Sequence, residues 1–505
     1  MIKPTETFSG INCTVCTTYD CTLRCKYCYE VCKRKSEIPL ETAYKFIDRI
    51  LEDPDPIGAK GTKDEWITHT GLVLDFIGGD SFMYPETMDK VLSYFQYKAT
   101  IMNHPYAKNW RASISSNGTL FMNPKVQALI EKWGENLSIG VSIDGCPAIH
   151  DAYRIYRDKD KNGNEVGTME TIMKWWMWLK ERQPDATNHT KSTCSKASIP
   201  YLYESLVFMH DVLGITYVNQ NFIMEDTGCE EPDYVLLDEM YRKCTDYLFE
   251  HRHEMYWSMY DKQGLNKRSD NLTDFLHSIK SGWCGSGAMP TVGMDGHIYP
   301  CFRWLGHTQV DGESQSNEMC VGNVDDGFIN KENFRRVKEA SREKISSAYC
   351  LQCEYEGACA YCIGGCYAEN HDFIRTEHIC EIAKIRAKHA RRYWDMVEEA
   401  EHTHYDYFNE VPGEKYERID DVDVSFKKGH ERYGSDGKLK PGIEPTPEEI
   451  KFQKDLEFYF NKAKEDTDVK KVAMEQNDVV MNTLKTKARN SHTEEELKYQ
   501  VHGND

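Results

Sequence analysis

No apolar run in this chain approaches the ~18 residues a membrane-spanning helix needs. No apolar core follows the start Met1-Ile2-Lys3-Pro4-Thr5-Glu6, as a secretory signal would require. The expectation is a cytoplasmic protein with no membrane partner. Positive charge is the minority, with 62 Lys and Arg against 82 Asp and Glu and a formal net charge of −20. A phosphate backbone calls for basic surface, so no nucleic-acid partner is expected. Cysteine is missing after Cys380, although the chain holds 19. Cytosolic thiols stay reduced, so clustered cysteines in odd number point to metal or catalysis before disulfides.

What is present suits a globular protein of two or three domains: 505 residues, 40% hydrophobic, with 10 Trp and 30 Tyr. Apolar strand candidates at Ile11–Thr17, Gly71–Ile77, Trp110–Ser116, Leu137–Ile143, Thr190–Ser195 and Ile215–Met224 alternate with helical patterns. One such pattern has apolar positions 43, 46, 47, 50 and 51; others cover Pro124–Trp133 and Tyr201–Leu213. Six strand-then-helix units predict a parallel sheet with helices outside, either open or a partial barrel. Such sheets bind ligands at the carboxyl ends of their strands.

The stretch "YDCTLRCKYCYE" follows the first strand candidate and places Cys21, Cys25 and Cys28 on one loop. Three thiolates at this spacing can wrap a single metal centre, and iron–sulfur clusters favour cysteine. A nearby fourth thiol is offered by Cys32, or by Cys13 and Cys16. Zinc usually takes paired C-x2-C knuckles, which this triplet is not. Three ligands alone would leave one iron open, as a reactive site needs.

A second region, about 281 to 380, holds nine cysteines with many glycines and little periodicity, as in a small domain held by metal. Its pattern is Cys284-x11-Gly296-x4-Cys301, then Cys350-x2-Cys353-x5-Cys359-x2-Cys362-x3-Cys366, then Cys380. A structural zinc domain fits less well, because no clear zinc quartet stands out. Residues 381 to 402 read as a helix, the Pro-rich 440 to 449 as a linker, and a helical tail starts at about 447. Trp175, Trp176 and Trp178 read as helix packing. His251 and His253 would face opposite sides of a helix and make a poor metal pair.

Cys21-x3-Cys25-x-Tyr27-Cys28 resembles the signature of radical S-adenosylmethionine (SAM) enzymes. The second cysteine region, with "GMDGHIYPC", "VGNV" and "CIGGC", resembles their SPASM extension. The resemblance covers about residues 11 to 380. It implies an α/β fold: a partial (β/α)6 barrel over 1–255, a linker helix over 256–283, a Cys-rich auxiliary-cluster domain over 284–385, and a mostly helical extension over 386–505.

The resemblance also implies the cofactors. Cys21, Cys25 and Cys28 would hold a [4Fe–4S] cluster whose open iron binds SAM. Reductive cleavage of SAM then gives methionine and a 5′-deoxyadenosyl radical. Around SAM it implies Tyr27, Gly78, Gly79, Asp80, Asn117, Ser142, Asp144 and Arg154. Asp80 stands where the family has Glu, so a backbone contact carries over better than a side-chain one. Two auxiliary [4Fe–4S] clusters are implied, one on Cys284, Cys301 and Cys366, the other on Cys350, Cys353, a central cysteine and Cys380. Three extra residues break the family spacing. Cys359 satisfies one step and Cys362 the next, and Cys362 is favoured because its match covers more residues. "CGSGAMPTV" lacks the cysteine that completes the first auxiliary set elsewhere. Either Cys320 or Cys359 reaches in, or one iron is open to a substrate thiol.

The expected reaction is therefore maturation of a ribosomal precursor peptide, with a cysteine sulfur joined to carbon as a thioether. An external electron donor such as ferredoxin or flavodoxin is implied. Carbon–carbon or carbon–oxygen crosslinking is the alternative, as is sulfatase-type formylglycine formation. Against the latter, Phe302 follows Cys301 where that branch has Asp. A multi-cluster electron-transfer protein is the non-enzymatic alternative, but the strand-end motifs that would contact SAM argue against it. About twenty residues before Cys21 are too few for a separate peptide-recognition domain, which leaves the tail after 402 as a candidate docking surface.

Overall fold

The computed structural model describes residues 10–30, 33–58, 71–260, 287–305, 318–356, 359, 361–370, 372–401, 432–466 and 468–475. The strands are β1 (Gly10–Thr18), β2 (Gly71–Gly78), β3 (Trp110–Ser116), β4 (Leu137–Val141), β5 (His189–Cys194), β6 (Tyr217–Phe222), β7 (Tyr256–Trp257), β8 (Thr291–Val292), β9 (His297–Tyr299) and β10 (Gly322–Asn323). Helices α1 (Leu40–Glu52), α2 (Pro85–Ile101), α3 (Pro124–Trp133), α4 (Pro147–Tyr153), α5 (Met169–Arg182), α6 (Pro184–Asn188), α7 (Leu202–Val207) and α8 (Glu231–Glu250) lie between and after the first six strands.

Strands β1 to β4 pair in parallel in chain order, and β5, β6 and β7 form a second parallel set. A parallel bridge between Ser142 and Lys191 joins the sets, with Ile143 N donating to Lys191 O at 3.1 Å. The first six strands make an arc, a partial (β/α)6 barrel, and the two-residue β7 extends its far edge. β1 and β4 are buried along most of their length and read as apolar runs, whereas β2, β3, β5 and β6 alternate buried with more accessible positions. Ile11, Cys13 and Val15 of β1 and Leu72, Leu74 and Phe76 of β2 all lie in the core. On α1 the buried positions are Ala43, Phe46, Ile47, Ile50 and Leu51, one stripe at helical spacing. Trp175, Trp176 and Trp178 are buried on α5, so they serve packing.

The region after 284 does not stand apart from the barrel sheet. β8 pairs in parallel with β1, Thr14 opposite Thr291, and the antiparallel β9 and β10 extend the same sheet. Of the expected linker helix over 256–283, only 256–260 are described, and they form β7 and a 3-10 turn. The helix Cys380–Glu401 packs on α8, with Lys388 and His389 on Asp238 and Arg392 on Asp246. The helical tail starts at Pro447 and runs to Glu465. Thr446 and Glu449 cap its first turn reciprocally. It docks by Tyr459 on Phe208, ring centroids 4.8 Å apart, and by Lys462 on Glu204. Among the described residues, no helix is long and apolar enough to cross a membrane.

Candidate functional site

The loop of Cys21, Cys25 and Cys28 leaves the carboxyl end of β1 and is held on both sides. On one side it pairs antiparallel with the segment after α4. Arg24 N donates to Ile155 O at 2.9 Å, Lys26 N to Tyr153 O at 3.1 Å, and Arg157 N to Thr22 O at 2.9 Å. On the other, β2 ends against it, where Gly79 N donates to Thr18 O and Asp80 N to Asp20 O, both at 2.9 Å. The two glycines are required by this approach. A Cβ on Gly78 would lie 2.0 Å from Thr18 O, one on Gly79 2.0 Å from Asp20 O, and Gly78 has φ +133°.

Cys21 and Cys25 are buried and pack with Leu23, Tyr27, Cys28 and Tyr156. Burial pushes the Cys21 thiol up to about 12 and raises Cys25 as well. A thiol in such surroundings keeps its proton unless a cation takes its place. Lys33, buried beside them, donates Nζ to Leu23 O at 3.2 Å. Burial works against its charge, and once the protons of Cys28, Cys21 and Cys25 are displaced their thiolates would outweigh this and hold the ammonium above its ordinary range. Three soft donors on one loop, with a buried cation beside them, fit an iron–sulfur cluster of net negative charge. Sequence reasoning passed over Lys33, which only the fold brings back to the loop.

The residues expected around SAM gather at the ends of β2 to β4, and most are already partnered. Asp80 accepts from Asn117 N at 2.9 Å, Phe82 N at 3.0 Å and Ser116 Oγ at 3.0 Å. Burial raises its carboxyl to about 6 despite these donors. Its side chain thus caps the turn after β3. Asn117 Nδ2 reaches Thr22 Oγ1 at 3.1 Å and Cys21 Sγ at 3.6 Å. Arg154 and Asp144 form a buried bidentate pair. Thr193 N at 3.0 Å and Tyr27 OH also donate to that carboxylate. Tyr27 lies under the Arg154 guanidinium, 5.5 Å from its ring centroid. Ser142, at the end of β4, is half-buried, and its N donates to Ser116 O. His150, which the sequence reading did not single out, is pushed down to about 3 by burial and fixes Asp144 N through Nδ1 at 3.3 Å.

The second cysteine region divides its thiols in an unexpected way. Cys350, Cys353, Cys359 and Cys380 line one cavity together with Arg375, Glu356 and Lys384. A buried Arg342–Glu356 pair and Arg375, which donates to Cys359 O at 3.3 Å, hold the loop that carries Cys359. Cys359, and not the sequence-favoured Cys362, shares this cavity with the other three thiols. Cys362 is drawn away by helix Ile363–Asn370, where Cys366 N donates to Cys362 O at 2.8 Å and Gly365 N to Cys362 Sγ at 3.4 Å. It therefore sits one turn from Cys366 and beside Arg303.

Cys301 and Cys366 are buried in one apolar cluster with Tyr299, Trp304, Tyr367 and Cys16 of β1. Cys13 sits instead in the main core. Cys320 donates its thiol to Gly322 O at 3.1 Å, at the start of β10. Cys32 and Cys284 lie outside the described residues. The two cysteine regions meet through Tyr29, whose ring lies 4.6 Å from the Arg303 guanidinium and 6.1 Å from the Phe302 ring.

No protein-family model matches the chain, and no curated protein matches it. Solved structures do. A histidine-tagged form of the protein anSMEcpe with bound AdoMet superposes with a TM-score of 0.56 at 17% identity, over 78% of this chain and 100% of that one. Native anSMEcpe with bound AdoMet and Cp18Cys peptide gives 0.53 at 16% identity, over 78% and 99%. SuiB of Streptococcus suis, bound to precursor peptide SuiA, gives 0.45 at 14% identity, over 74% and 76%, too loose to argue from. At these identities the likeness establishes the fold. This chain has the α/β partial-barrel architecture that the resemblance to radical SAM enzymes implied.

Proposed function

We propose that this protein is a radical SAM peptide maturase of the cytoplasm that forms a thioether between a cysteine sulfur and a carbon of a ribosomal precursor peptide. The observation that carries the reading is the loop of Cys21, Cys25 and Cys28 at the carboxyl end of the parallel strands, strapped to segment 153–157 beside buried Lys33. Its fold is shared with a protein solved with AdoMet and the Cp18Cys peptide. When bound, the cluster and SAM supply a one-electron cleavage that delivers a hydrogen-abstracting radical to the peptide.

The chain's own residues have distinct parts in this reading. The three thiolates hold the cluster, and Lys33 offsets their charge. Tyr27 and the Asp144–Arg154 pair form a rigid wall behind Cys25, while Gly78 and Gly79 let the β2 end close on the loop and leave backbone carbonyls for an ammonium group. Asn117 and Ser142 would bind the ribose of SAM. Cys350, Cys353, Cys359 and Cys380 hold one auxiliary cluster, and Cys301 and Cys366, with Cys284, hold the other. The overall change balances as follows. The peptide loses one hydrogen atom from carbon, one proton from the thiol and one electron, which an auxiliary cluster would accept when bound. The electron spent on SAM comes from a ferredoxin or flavodoxin.

The test is the mass of the matured peptide after anaerobic co-expression, with and without thiol alkylation. A loss of two hydrogens with equal loss of alkylatable thiol is expected. The same mass loss with every thiol still alkylatable replaces the thioether with a carbon–carbon or carbon–oxygen link. Failure of the reconstituted protein to release 5′-deoxyadenosine from SAM overturns the enzyme reading.

A further inference from the structure

Between α7 and β6 the chain makes a π-helical turn, Phe208–Val212. Such turns are rare and often mark functional positions. This one carries His210 and Asp211 toward the carboxyl end of α8, where His251 caps the helix and Glu254 follows in the next turn. One ring nitrogen of each histidine and one Glu254 oxygen lie within 4.8 Å of one another. We propose that His210, His251 and Glu254 form a mononuclear site for a divalent cation of the zinc class, built without a thiol and distinct from the cysteine centres.

Three features beyond proximity support it. First, the tautomer of His210 is set. Its Nδ1 is 2.7 Å from Tyr247 OH and 3.1 Å from Asp211 Oδ1, and Tyr247 OH is itself 2.6 Å from that same oxygen. The carboxylate can only accept, and the phenol's proton points to it, so Nδ1 carries the hydrogen and Nε2 keeps its lone pair. A carboxylate behind a histidine is the usual outer support of a metal ligand. Second, His251 Nδ1 and Glu254 Oε2 lie 2.9 Å apart in a hydrogen bond whose proton a cation would displace, and the two imidazole centroids are 4.9 Å apart. Third, the carboxyl end of the 20-residue α8 presents its carbonyls, which favours a cation.

Two histidines and a carboxylate with a free fourth position suit zinc at bonds of roughly 2.0–2.2 Å. Iron(II) accepts the same ligands, but zinc binds more tightly at a given site. A cation here would staple the π turn to α8. It would also steady Phe208, on which Tyr459 of the tail helix rests. This inference is independent of the reaction proposed for the thiols.

The test uses the full-length protein with its clusters in place, titrated anaerobically with Zn2+ against a chromogenic chelator, with iron counted before and after. One zinc per chain is expected with no loss of iron. His210→Ala or His251→Ala should weaken it at least tenfold. Asp211→Asn should weaken it about 10–100-fold, as loss of an outer partner does. Glu254→Gln, at an exposed position, provides a variant whose folding is not in question and should weaken it likewise. Co2+ in place of zinc should give ligand-field bands with no thiolate charge transfer. Absence of uptake, uptake indifferent to His251 and Glu254, a thiolate band, or tighter binding of Fe2+ than of Zn2+ would each overturn the proposal.

Discussion

Arg154 donates Nε to Asp144 Oδ2 at 2.9 Å and an Nη to Oδ1 at 3.0 Å, and both side chains are buried. A guanidinium so placed cannot be removed without leaving a carboxylate in a dry site. Arg154→Ala is expected to cost about 3–5 kcal/mol of folding stability. The double variant Asp144→Asn with Arg154→Ala should lose less than the sum of the single changes. Urea unfolding of all four proteins measures this, and additive losses would show that the two groups are not coupled.

The division of the auxiliary thiols makes a sharp prediction about iron. Cys359→Ser should lose the cluster proposed for the Cys350, Cys353 and Cys380 cavity, about four irons per chain. Cys362→Ser should keep it. Iron and sulfide analysis with Mössbauer spectra of the two variants decides between them. Equal retention in Cys359→Ser would return the central position to another cysteine.

Gly78 combines a positive φ of +133° with a carbonyl 2.0 Å from where a Cβ would stand. Gly78→Ala should therefore lose at least about 1–3 kcal/mol from backbone strain. It should also lose primary-cluster iron out of proportion, because β2 can no longer close on the Cys21 loop. Unfolding curves and iron content together check this. A variant with normal iron would mean that the loop does not depend on that approach.

Asp80 is raised to about 6 by burial, above the ordinary carboxylate value near 3.8. In the folded chain it binds its proton more tightly than in the unfolded chain. Its contribution to stability is thus fully present below about pH 4 and is lost as pH rises through about 6. Wild type should lose on the order of 1 kcal/mol per pH unit across that window relative to Asp80→Asn. Parallel stability profiles for the two proteins from pH 4 to 7 would refute the assignment.

Much of the barrel was legible because buried residues recur along its strands, nearly continuous in β1 and at every second position in β3. Trp110–Ser116 agrees residue for residue, and the pattern at 43, 46, 47, 50 and 51 is the buried stripe of α1. The triplet at Cys21 was legible because its ligands lie on one loop. Positions fixed by three-dimensional return were not. Spacing alone favoured Cys362, but a helix beginning at Ile363 carries it away while the Arg342–Glu356 pair keeps Cys359 in the cavity. Likewise His251 was weighed against His253, two residues on, yet its neighbour is His210, far earlier in the chain. The helix α8 ends at Glu250, so helical facing does not govern either histidine. Sequence shows the chemistry of Asp80 and Arg154 but not that neighbours brought in by the fold already bond both side chains.

Strand β1 has a double duty. Its carboxyl end launches the Cys21 loop, its edge pairs with β8, and Cys16 near that end packs with Cys301 and Cys366. The Cys21 loop and the Cys301–Cys366 cluster, the two proposed centres, are therefore indexed to one nine-residue ruler. A slip of one residue in its pairing with β2 would turn every side chain to the opposite face. Damage there would not weaken one centre and spare the other; both would go out of alignment in a single step.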